Sequence, residues 1–338
     1  MKKKVSLKDI AERANVTAAA VSYVLNGQEH KASPEMVKKI KSIAEKLNYR
    51  PNHIAKSLKT KRTHTIGLVV ANISYRYTTG ITSAIEAEAK KNNYTVLIGS
   101  SDENPVKFRE LVNVLIDRQV DGLLLLPVEN SEEEIRYLND QSIPFILLDR
   151  YFPTINSNYI ALDNYESARK AVRYLVELGH KEVGFINYKS DLFHLNERSR
   201  GYKDALKDAG LGAAAKWTKL IRGENFQQDL EQGLDSLLKT THRKMAVIFA
   251  SDTLAIKGIK YLSGKKLKIP GDISVFSFDE SEAFELFPTE VTHGRQPLEE
   301  MGRVAVQTLL DLLKNGKASR RLLFDSGFVR GRSCGEKD

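Results

Sequence analysis

Apolar residues in the first 26 positions recur at the spacing of one face of a helix. Leu7, Ile10 and Ala14 lie three and four positions apart, and Ser6 precedes them with a side-chain oxygen suited to an N-cap. Thr17 can cap a second helix in the same way. The pattern therefore predicts two short, successive helices.

A turn at Asn15 separates the two helices, and Val21 and Val24 of the second can pack against the first. Residues 26–27 (Asn-Gly) tolerate positive φ and favour the end of a helix. Two short helices with a tight turn are typical of a helix-turn-helix, in which the second helix enters the DNA major groove. An ordinary helical hairpin would have the same pattern.

A third helix is predicted from Ser33-Pro34, a cap followed by proline at the first helical position, and it completes an N-terminal domain over residues 1–50. Pro51 ends it, because proline cannot continue the hydrogen-bond ladder. Residues 51–62 are polar and basic, and we expect them to form a hinge of about two helical turns when a partner holds them.

From residue 65 onward, short apolar strands alternate with amphipathic helices. The predicted strands are residues 66–70, 95–99, 122–127, 145–149, 159–163, 183–186, 219–221, 246–250 and 273–278. This alternation is typical of parallel sheets covered by helices on both faces. We predict a core over residues 63–338 made of two doubly wound parallel-sheet subdomains, about 63–163 with 291–322, and about 164–290 with 323–338.

The positive charge of the chain is concentrated at one end. Residues 1–62 contain 15 Lys and Arg against 5 Asp and Glu, a net charge of +10, whereas the other residues contain 37 against 38. A basic surplus on a small helical module is the pattern expected for binding to phosphates. The charge therefore favours the DNA-binding interpretation over a plain helical hairpin.

Other features limit the class of protein. The single Cys334 excludes an internal disulfide framework and a cysteine-based zinc site. The basic first residues are not followed by the apolar segment of a signal peptide, and no run of roughly 18 apolar residues is present. We expect a cytoplasmic protein with no membrane association, and no cofactor or metal.

Polar and aromatic residues follow many of the predicted strands. In open α/β sheets, ligands bind beyond the carboxyl ends of the strands. Carboxylates and arginines beside aromatic rings suit a polyhydroxylated ligand, although an Asp at a strand end can equally be a helix cap. The candidates for ligand contact at strand ends include Tyr75, Arg76, Ser101, Asp102, Asp149, Asp163, Ser251 and Asp279.

Several motifs resemble the LacI/GalR family of bacterial transcriptional repressors along nearly the whole chain. They are LKDIAERANVT with VSYVLNG, LNYRPNHIAKSLKTKRTHTIGLVV, VDGLLLLP, LGHKEVGFI, ERSRGY at 197–202, FASDTLAIKG and RQPLEEMG. The resemblance implies a helix-turn-helix, a hinge helix and a core like that of periplasmic sugar-binding proteins, used as a homodimer or tetramer. Its DNA partner would be a pseudopalindromic operator.

The resemblance also implies residue roles. Near DNA it places Ser6, Thr17, Ala18, Ala19, Ser22, Tyr23 and Asn26, with Asn52 and Ala55 at the hinge. Leu58 matches the position of a leucine that wedges into the minor groove, although ordinary helix packing would also explain it. At or beside the effector it places Tyr77, Asp149, Asp163, Arg198, Phe226, Ser251, Asp279 and Gln296.

Two departures from the family pattern affect specificity. Ala20 and Tyr23 stand where many members have Thr and Arg, which removes a bidentate contact of Arg to guanine. The loop SYRYTT replaces an Asn-Pro followed by two aromatic residues. Arg76 in that loop would favour an acidic or phosphorylated ligand, unless it points to solvent.

The sequence thus predicts a repressor of carbohydrate-utilisation genes whose operator binding responds to a sugar or sugar derivative. The alternative is a sugar-binding protein without DNA function. An α/β enzyme is a further rival, but GxxxxGK[ST], GxSxG, HExxH and a GxGxxG after a strand are all absent. We therefore expect no catalytic residues.

Overall fold

The computed structural model describes residues 5–49, 62–212, 214–241, 244–316 and 320–335. The chain divides into two compact units, Met1–Thr63 and His64–Asp338. Of the predicted hinge at 51–62, only Arg62 lies within the described residues.

The N-terminal unit contains the three predicted helices, α1 (Leu7–Ala14), α2 (Ala18–Leu25) and α3 (Pro34–Lys46), and a 3₁₀ turn at Glu29–Lys31. Each helix contributes at least one fully buried residue to a shared core, Ile10 from α1, Val21 from α2 and Ile40 from α3. The apolar stripes read from the sequence therefore face one another.

Local hydrogen bonds fix the ends of these helices. The Oγ of Ser6 accepts from the backbone N–H of Asp9 at 3.4 Å, and the Asp9 carboxylate accepts from the backbone N–H of Ser6 at 2.7 Å. This reciprocal capping box satisfies two otherwise free donors. Asn15 ends α1 in the left-handed region at φ 55°, which turns the chain toward α2.

The second unit is an α/β structure of strands and helices in alternation. Its strands are β1 (Thr65–Val70), β2 (Thr95–Ser100), β3 (Gly122–Leu125), β4 (Phe145–Leu148), β5 (Tyr159–Leu162), β6 (Val183–Tyr188), β7 (Thr218–Ile221), β8 (Met245–Phe249), β9 (Ile273–Ser277), β10 (Thr292–Arg295), β11 (Arg321–Phe324) and β12 (Gly327–Val329). Its helices are α4 (Arg76–Lys91), α5 (Pro105–Asp117), α6 (Glu132–Asp140), α7 (Asn164–Glu177), α8 (Phe193–Asp208), α9 (Ala214–Trp217), α10 (Phe226–Thr240), α11 (Asp252–Gly264) and α12 (Leu298–Asn315).

The strands form two six-stranded sheets. The first has the order β11-β5-β4-β3-β1-β2 and is parallel throughout. The second has the order β12-β10-β9-β8-β6-β7, and only β12 runs antiparallel to its neighbour. We call the first sheet, with the helices packed on it, the first lobe, and the second sheet with its helices the second lobe. The predicted pair of doubly wound subdomains is confirmed.

The chain passes between the lobes later than the sequence suggested at two of its three crossings. The prediction placed residues 291–322 in the first lobe, yet β10 pairs with β9 in the second sheet. It placed residues 323–338 in the second lobe, yet β11 extends to Phe324 and pairs with β5. The strands β10, β11 and β12 were missed because they are short and lack a buried apolar run, and pairing with their neighbours defines them.

Burial separates the central strands from the edges. Every residue of β3 and β4 is buried, as expected for strands covered on both faces. The edge strand β2 instead leaves Leu97 and Ile98 exposed. None of the helices in the described part of the chain is long and apolar enough to span a membrane.

Candidate functional site

The exposed surface of α2 has few polar side chains free to contact another molecule. Ala19 and Tyr23 are exposed, with Tyr23 at 41 %, and Ala18 and Ser22 are half-buried. The ammonium of Lys31 lies 4.5 Å from the centre of the Tyr23 ring, a cation–π contact. The helix therefore presents methyl groups and one aromatic ring.

The polar residues predicted near DNA on this unit are engaged within it. The Oγ1 of Thr17 accepts from the backbone N–H of Ala20 at 3.2 Å and caps α2. The Asn26 amide donates to the backbone oxygen of Ser22 at 2.7 Å, and Ser6 belongs to the capping box of α1. These contacts define helix ends. The other predicted DNA residues, Asn52, Ala55 and Leu58, lie outside the described residues.

A cavity of about 350 Å³ lies between the two lobes of the second unit. Its lining comes from residues just beyond the carboxyl ends of strands in both sheets, where α/β folds place ligands. We call this cavity the cleft.

Eight of the predicted effector residues line the cleft. They are Tyr75, Arg76, Tyr77, Asp149, Arg198, Ser251, Asp279 and Gln296. They come from separate parts of the chain, and the two lobes contribute from opposite sides.

Three predicted effector residues do not line the cleft. Ser101 is fully buried and its hydroxyl donates to the backbone oxygen of Val70 at 3.1 Å, which joins the end of β2 to β1. The Asp163 carboxylate accepts from the backbone N–H of Glu166 at 2.9 Å and caps α7. Phe226 begins α10 and packs against the core of the second lobe. Each side chain is directed to a local structural contact.

Other residues of the cleft were not predicted from the sequence, among them Glu103, Glu129 and Tyr188. Glu103 lies one position beyond Asp102, the last strand-end candidate after β2. The strand β6 continues to Tyr188, two residues past its predicted end. Correct prediction of the strand ends would have identified Glu103 and Tyr188.

A partly buried ion pair occupies one side of the cleft. The guanidinium of Arg150 donates from Nη1 and Nη2 to the two carboxylate oxygens of Glu103, both at 2.8 Å. The Arg150 side chain is 11 % exposed. This bidentate geometry is the strongest common form of a charged hydrogen bond.

A second network holds Arg198, which is 4 % exposed. Its Nε donates to Oδ1 of Asn164 at 2.8 Å, and its Nη1 donates to the backbone oxygen of Ala250 and lies 3.4 Å from the Asp279 carboxylate. The guanidinium stacks on the Phe278 ring at 3.9 Å. The other Asp279 oxygen accepts from Nε2 of Gln296 at 2.7 Å.

Burial shifts the protonation of two other cleft residues. It raises the pKa of Asp149 to about 6, against the opposing effect of Arg150 and Arg198. It lowers the pKa of His194 well below its ordinary value, and the same two arginines lower it further. His194 is therefore neutral at physiological pH.

Contacts between the lobes lie at the rim of the cleft. The Glu129 carboxylate of the first lobe accepts from the backbone N–H of Asp191 at 2.7 Å and from the Ser190 hydroxyl at 3.2 Å. Arg76 of the first lobe lies 3.3 Å from Glu282 and 3.9 Å from Glu280 of the second. Arg76 thus has carboxylate partners of its own.

Comparisons with known proteins identify both units. A model of bacterial regulatory proteins of the lacI family matches residues 6–52, and a model of periplasmic binding protein-like domains matches residues 172–334. The ribose operon repressor of Haemophilus influenzae is 30% identical over 94% of this chain and 95% of its own length. The chain belongs to the lacI family of bacterial regulatory proteins. It is a DNA-binding transcriptional regulator, as predicted.

Other lacI-family proteins are similar over most of their length. The catabolite control protein A of Priestia megaterium is 27% identical over 90% of this chain and 91% of its own. A lac repressor dimer solved with operator and an anti-inducer matches the fold with a TM-score of 0.85, at 22% identity over 98% of this chain and 100% of its own. A CelR–cellobiose complex matches with a TM-score of 0.73, at 24% identity and 98% and 100% coverage.

Proposed function

We propose that this lacI-family protein represses carbohydrate-utilisation genes and that a small hydroxyl-rich effector, bound in the cleft, sets how strongly it holds its operator. One observation supports the effector site above all. Five residues that line the cleft each have a buried polar atom without a hydrogen-bond partner among the described residues, namely Tyr77 Oη, Asp149 Oδ1, Arg150 Nε, His194 Nδ1 and Gln296 Oε1. Buried polar atoms are usually satisfied, so their convergence favours a polar ligand.

The relatives agree with a sugar-responsive regulator. One is named as a ribose operon repressor, and a solved structure of similar fold is a complex with cellobiose. The roles of the eight cleft residues as effector ligands, and of Thr17, Ala18, Ala19, Ser22, Tyr23 and Asn26 as residues at DNA, belong to this proposal.

The control mechanism would act through the angle between the lobes. An effector shifts a conformational equilibrium only as far as its affinities for the two states differ. The rim contacts of Glu129 and Arg76 join the lobes, and an effector that changes the lobe angle must rearrange them. We propose induction, meaning that the effector favours the state with weaker operator binding.

We further propose that the protein works in the cytoplasm as a homodimer on a pseudopalindromic operator, with a tetramer as the alternative. The exposed Leu97 and Ile98 on the edge strand β2 support association, because an apolar edge strand is prone to pair with another chain. Two copies related by a two-fold axis would present two copies of α2 to adjacent half-sites.

A gel-shift experiment tests this function. The full-length protein is mixed with fragments of its own genome at two salt concentrations, with and without a panel of sugars, and its mass is measured by light scattering. We expect salt-sensitive binding to a pseudopalindrome that one sugar weakens, and the mass of a dimer. Sugar binding without any effect on DNA would instead support the alternative, a sugar-binding protein.

A further inference from the structure

The charged groups of the cleft are arranged so that no buried cation lacks a carboxylate partner. Four cationic side chains line it, Arg76, Arg150, Lys189 and Arg198, against five carboxyl groups, Glu103, Glu129, Asp149, Asp252 and Asp279. Building on the proposed function, we infer that the effector is an uncharged, hydroxyl-rich molecule of about one sugar ring, and that the cleft rejects the phosphorylated and acidic forms of the same sugar.

Arg150 is one of the two cations of the cleft that are largely shielded from solvent, with its side chain 11 % exposed. An anionic ligand would have to displace Glu103 from its bidentate pair or approach that carboxylate closely. Displacement would leave the carboxylate of Glu103, whose side chain is 33 % exposed, without its counter-charge, which is unfavourable. The one buried nitrogen of this side chain without a hydrogen-bond partner in the described chain is Arg150 Nε, and it lies 3.8 Å from the Asp149 carboxylate.

The second of these cations, Arg198, is also paired with groups of the protein itself. Its Nε and Nη1 are already engaged by Asn164, the backbone oxygen of Ala250 and Asp279. Asp279 is itself fixed by Gln296, so the pair is oriented from both sides. The Nη2 group has no hydrogen-bond partner among the described residues, and it could donate to the hydroxyl of an uncharged ligand.

The two remaining cations lie at the rim. Arg76 is paired with Glu282 and Glu280, and its side chain is 42 % exposed. Lys189 is exposed to solvent. Exposed cations contribute little to binding an anion, because water and salt screen them. The contacts of Arg76 therefore do not support an acidic or phosphorylated ligand.

The unpartnered atoms decide between a hydroxyl and an anion. Asp149 Oδ1 and Gln296 Oε1 only accept, Arg150 Nε only donates, and Tyr77 Oη does both. A sugar hydroxyl donates and accepts, so it can satisfy every member of this set. The oxygens of a fully ionised phosphate or carboxylate only accept, and beside Asp149 they would add repulsion.

Size and aromatic groups agree with a single sugar ring. The cleft is near the lower end of the roughly 300–1,000 Å³ range of small-molecule sites. Tyr75 and Tyr188 line it and provide flat apolar faces for the C–H groups of a ring. A long oligosaccharide would exceed this space.

Calorimetry and thermal shift on the full-length protein test the inference. The probes are ribose, xylose, glucose, galactose and fructose, each with a phosphate ester, together with gluconate and galacturonate. We expect one neutral sugar to bind and its charged counterpart to bind at least about 100-fold more weakly, as for a ligand that leaves buried polar groups unpaired. Tighter binding of a charged form, or no binding by any neutral sugar, overturns the inference.

The variant Glu103→Gln gives a second measurement. It removes the charge that neutralises Arg150, so we expect the preference for the neutral sugar over its phosphate to fall by about tenfold or more. Glu300→Gln is the matched control, because Glu300 pairs with Arg303 on the exposed surface of α12. An unchanged preference in Glu103→Gln would show that the ion pair does not set the charge of the ligand.

Gel shifts with the same compounds separate this inference from the proposed function. A neutral sugar that binds the cleft without changing operator affinity would uphold the ligand class and contradict the regulatory role. A sugar phosphate that releases the operator would do the reverse.

Discussion

The helix α2 and the cleft have opposite kinds of surface. At the ends of α2, the side chains of Thr17 and Asn26 form hydrogen bonds with the helix backbone. Methyl groups and the ring of Tyr23 face outward. In the cleft, five of the lining residues each have a buried polar atom without a hydrogen-bond partner among the described residues. Under the proposed function, specificity for the effector would come from these polar side chains, whereas specificity for DNA would depend more on shape, methyl groups and phosphates.

The largest expected effect comes from removing Asp279. The variant Asp279→Ala leaves Arg198 without its carboxylate and Gln296 without its acceptor, so we expect effector affinity to fall about 100-fold or more. Operator affinity without effector should be unchanged in gel shifts. Asp163→Asn is the matched control, since asparagine can still cap α7 and Asp163 lies outside the cleft. A normal effector response in Asp279→Ala would contradict the proposed site.

A smaller effect is expected from adding a polar group to α2. The variant Tyr23→Arg restores a guanidinium able to bind guanine, and we expect a new preference for guanine of about 1–3 kcal/mol at one position of each half-site. Selection from a randomised operator library measures it. Tyr137→Arg, an exposed tyrosine on α6, controls for the added charge alone. Identical selected sequences for Tyr23→Arg and the unmodified protein would contradict the role of Tyr23 at DNA.

The selected operator provides a second test of the same surface. Replacing its thymines with deoxyuridine removes only the C5 methyl group, so a helix that reads methyl groups should lose affinity several-fold. Equal affinity for the two operators would mean that α2 does not read thymine through Ala18 and Ala19.

The smallest effect concerns stability without effector. Because burial raises the pKa of Asp149 to about 6, the folded protein binds more protons than the unfolded chain between about pH 4 and 6, and stability falls as pH rises through that window. Asp149→Asn should be more stable by about 1–3 kcal/mol above pH 6, with no gain below pH 4. It should also bind the effector more weakly. Urea unfolding at several pH values measures the gain, and a gain independent of pH would contradict this account.

The sequence predicted those parts of the molecule that depend on periodic burial. The stripes through Ile10 and Val21 and the apolar strands β3 and β4 all lie where the pattern placed them. It did not predict β10, because Thr292–Arg295 is half polar and is fixed by pairing with β9 and β12. Non-local pairing leaves no periodic signal in such a short segment.

For the cleft, strand-end position was informative but incomplete. It identified Asp149 and Asp279, which line the cleft, and it also included Asp163, which caps α7, because a carboxylate after a strand can cap the next helix or face a cavity. Only the direction of the side chain distinguishes the two. The pairing of Arg150 with Glu103, 47 positions apart in the chain, could not be read from spacing at all.

The hydrogen bond from Arg198 to Asn164 links a side chain of the cleft to the segment that connects the two lobes. Asn164 begins α7 at the point where the chain leaves the first sheet for the second, and its amide oxygen accepts from Nε of Arg198 at 2.8 Å. The orientation of the arginine and the path of the connecting segment are therefore not independent variables. A ligand that fixes the orientation of Arg198 would also restrain Asn164. The segment that connects the lobes would then respond to occupancy of the cleft through a single hydrogen bond.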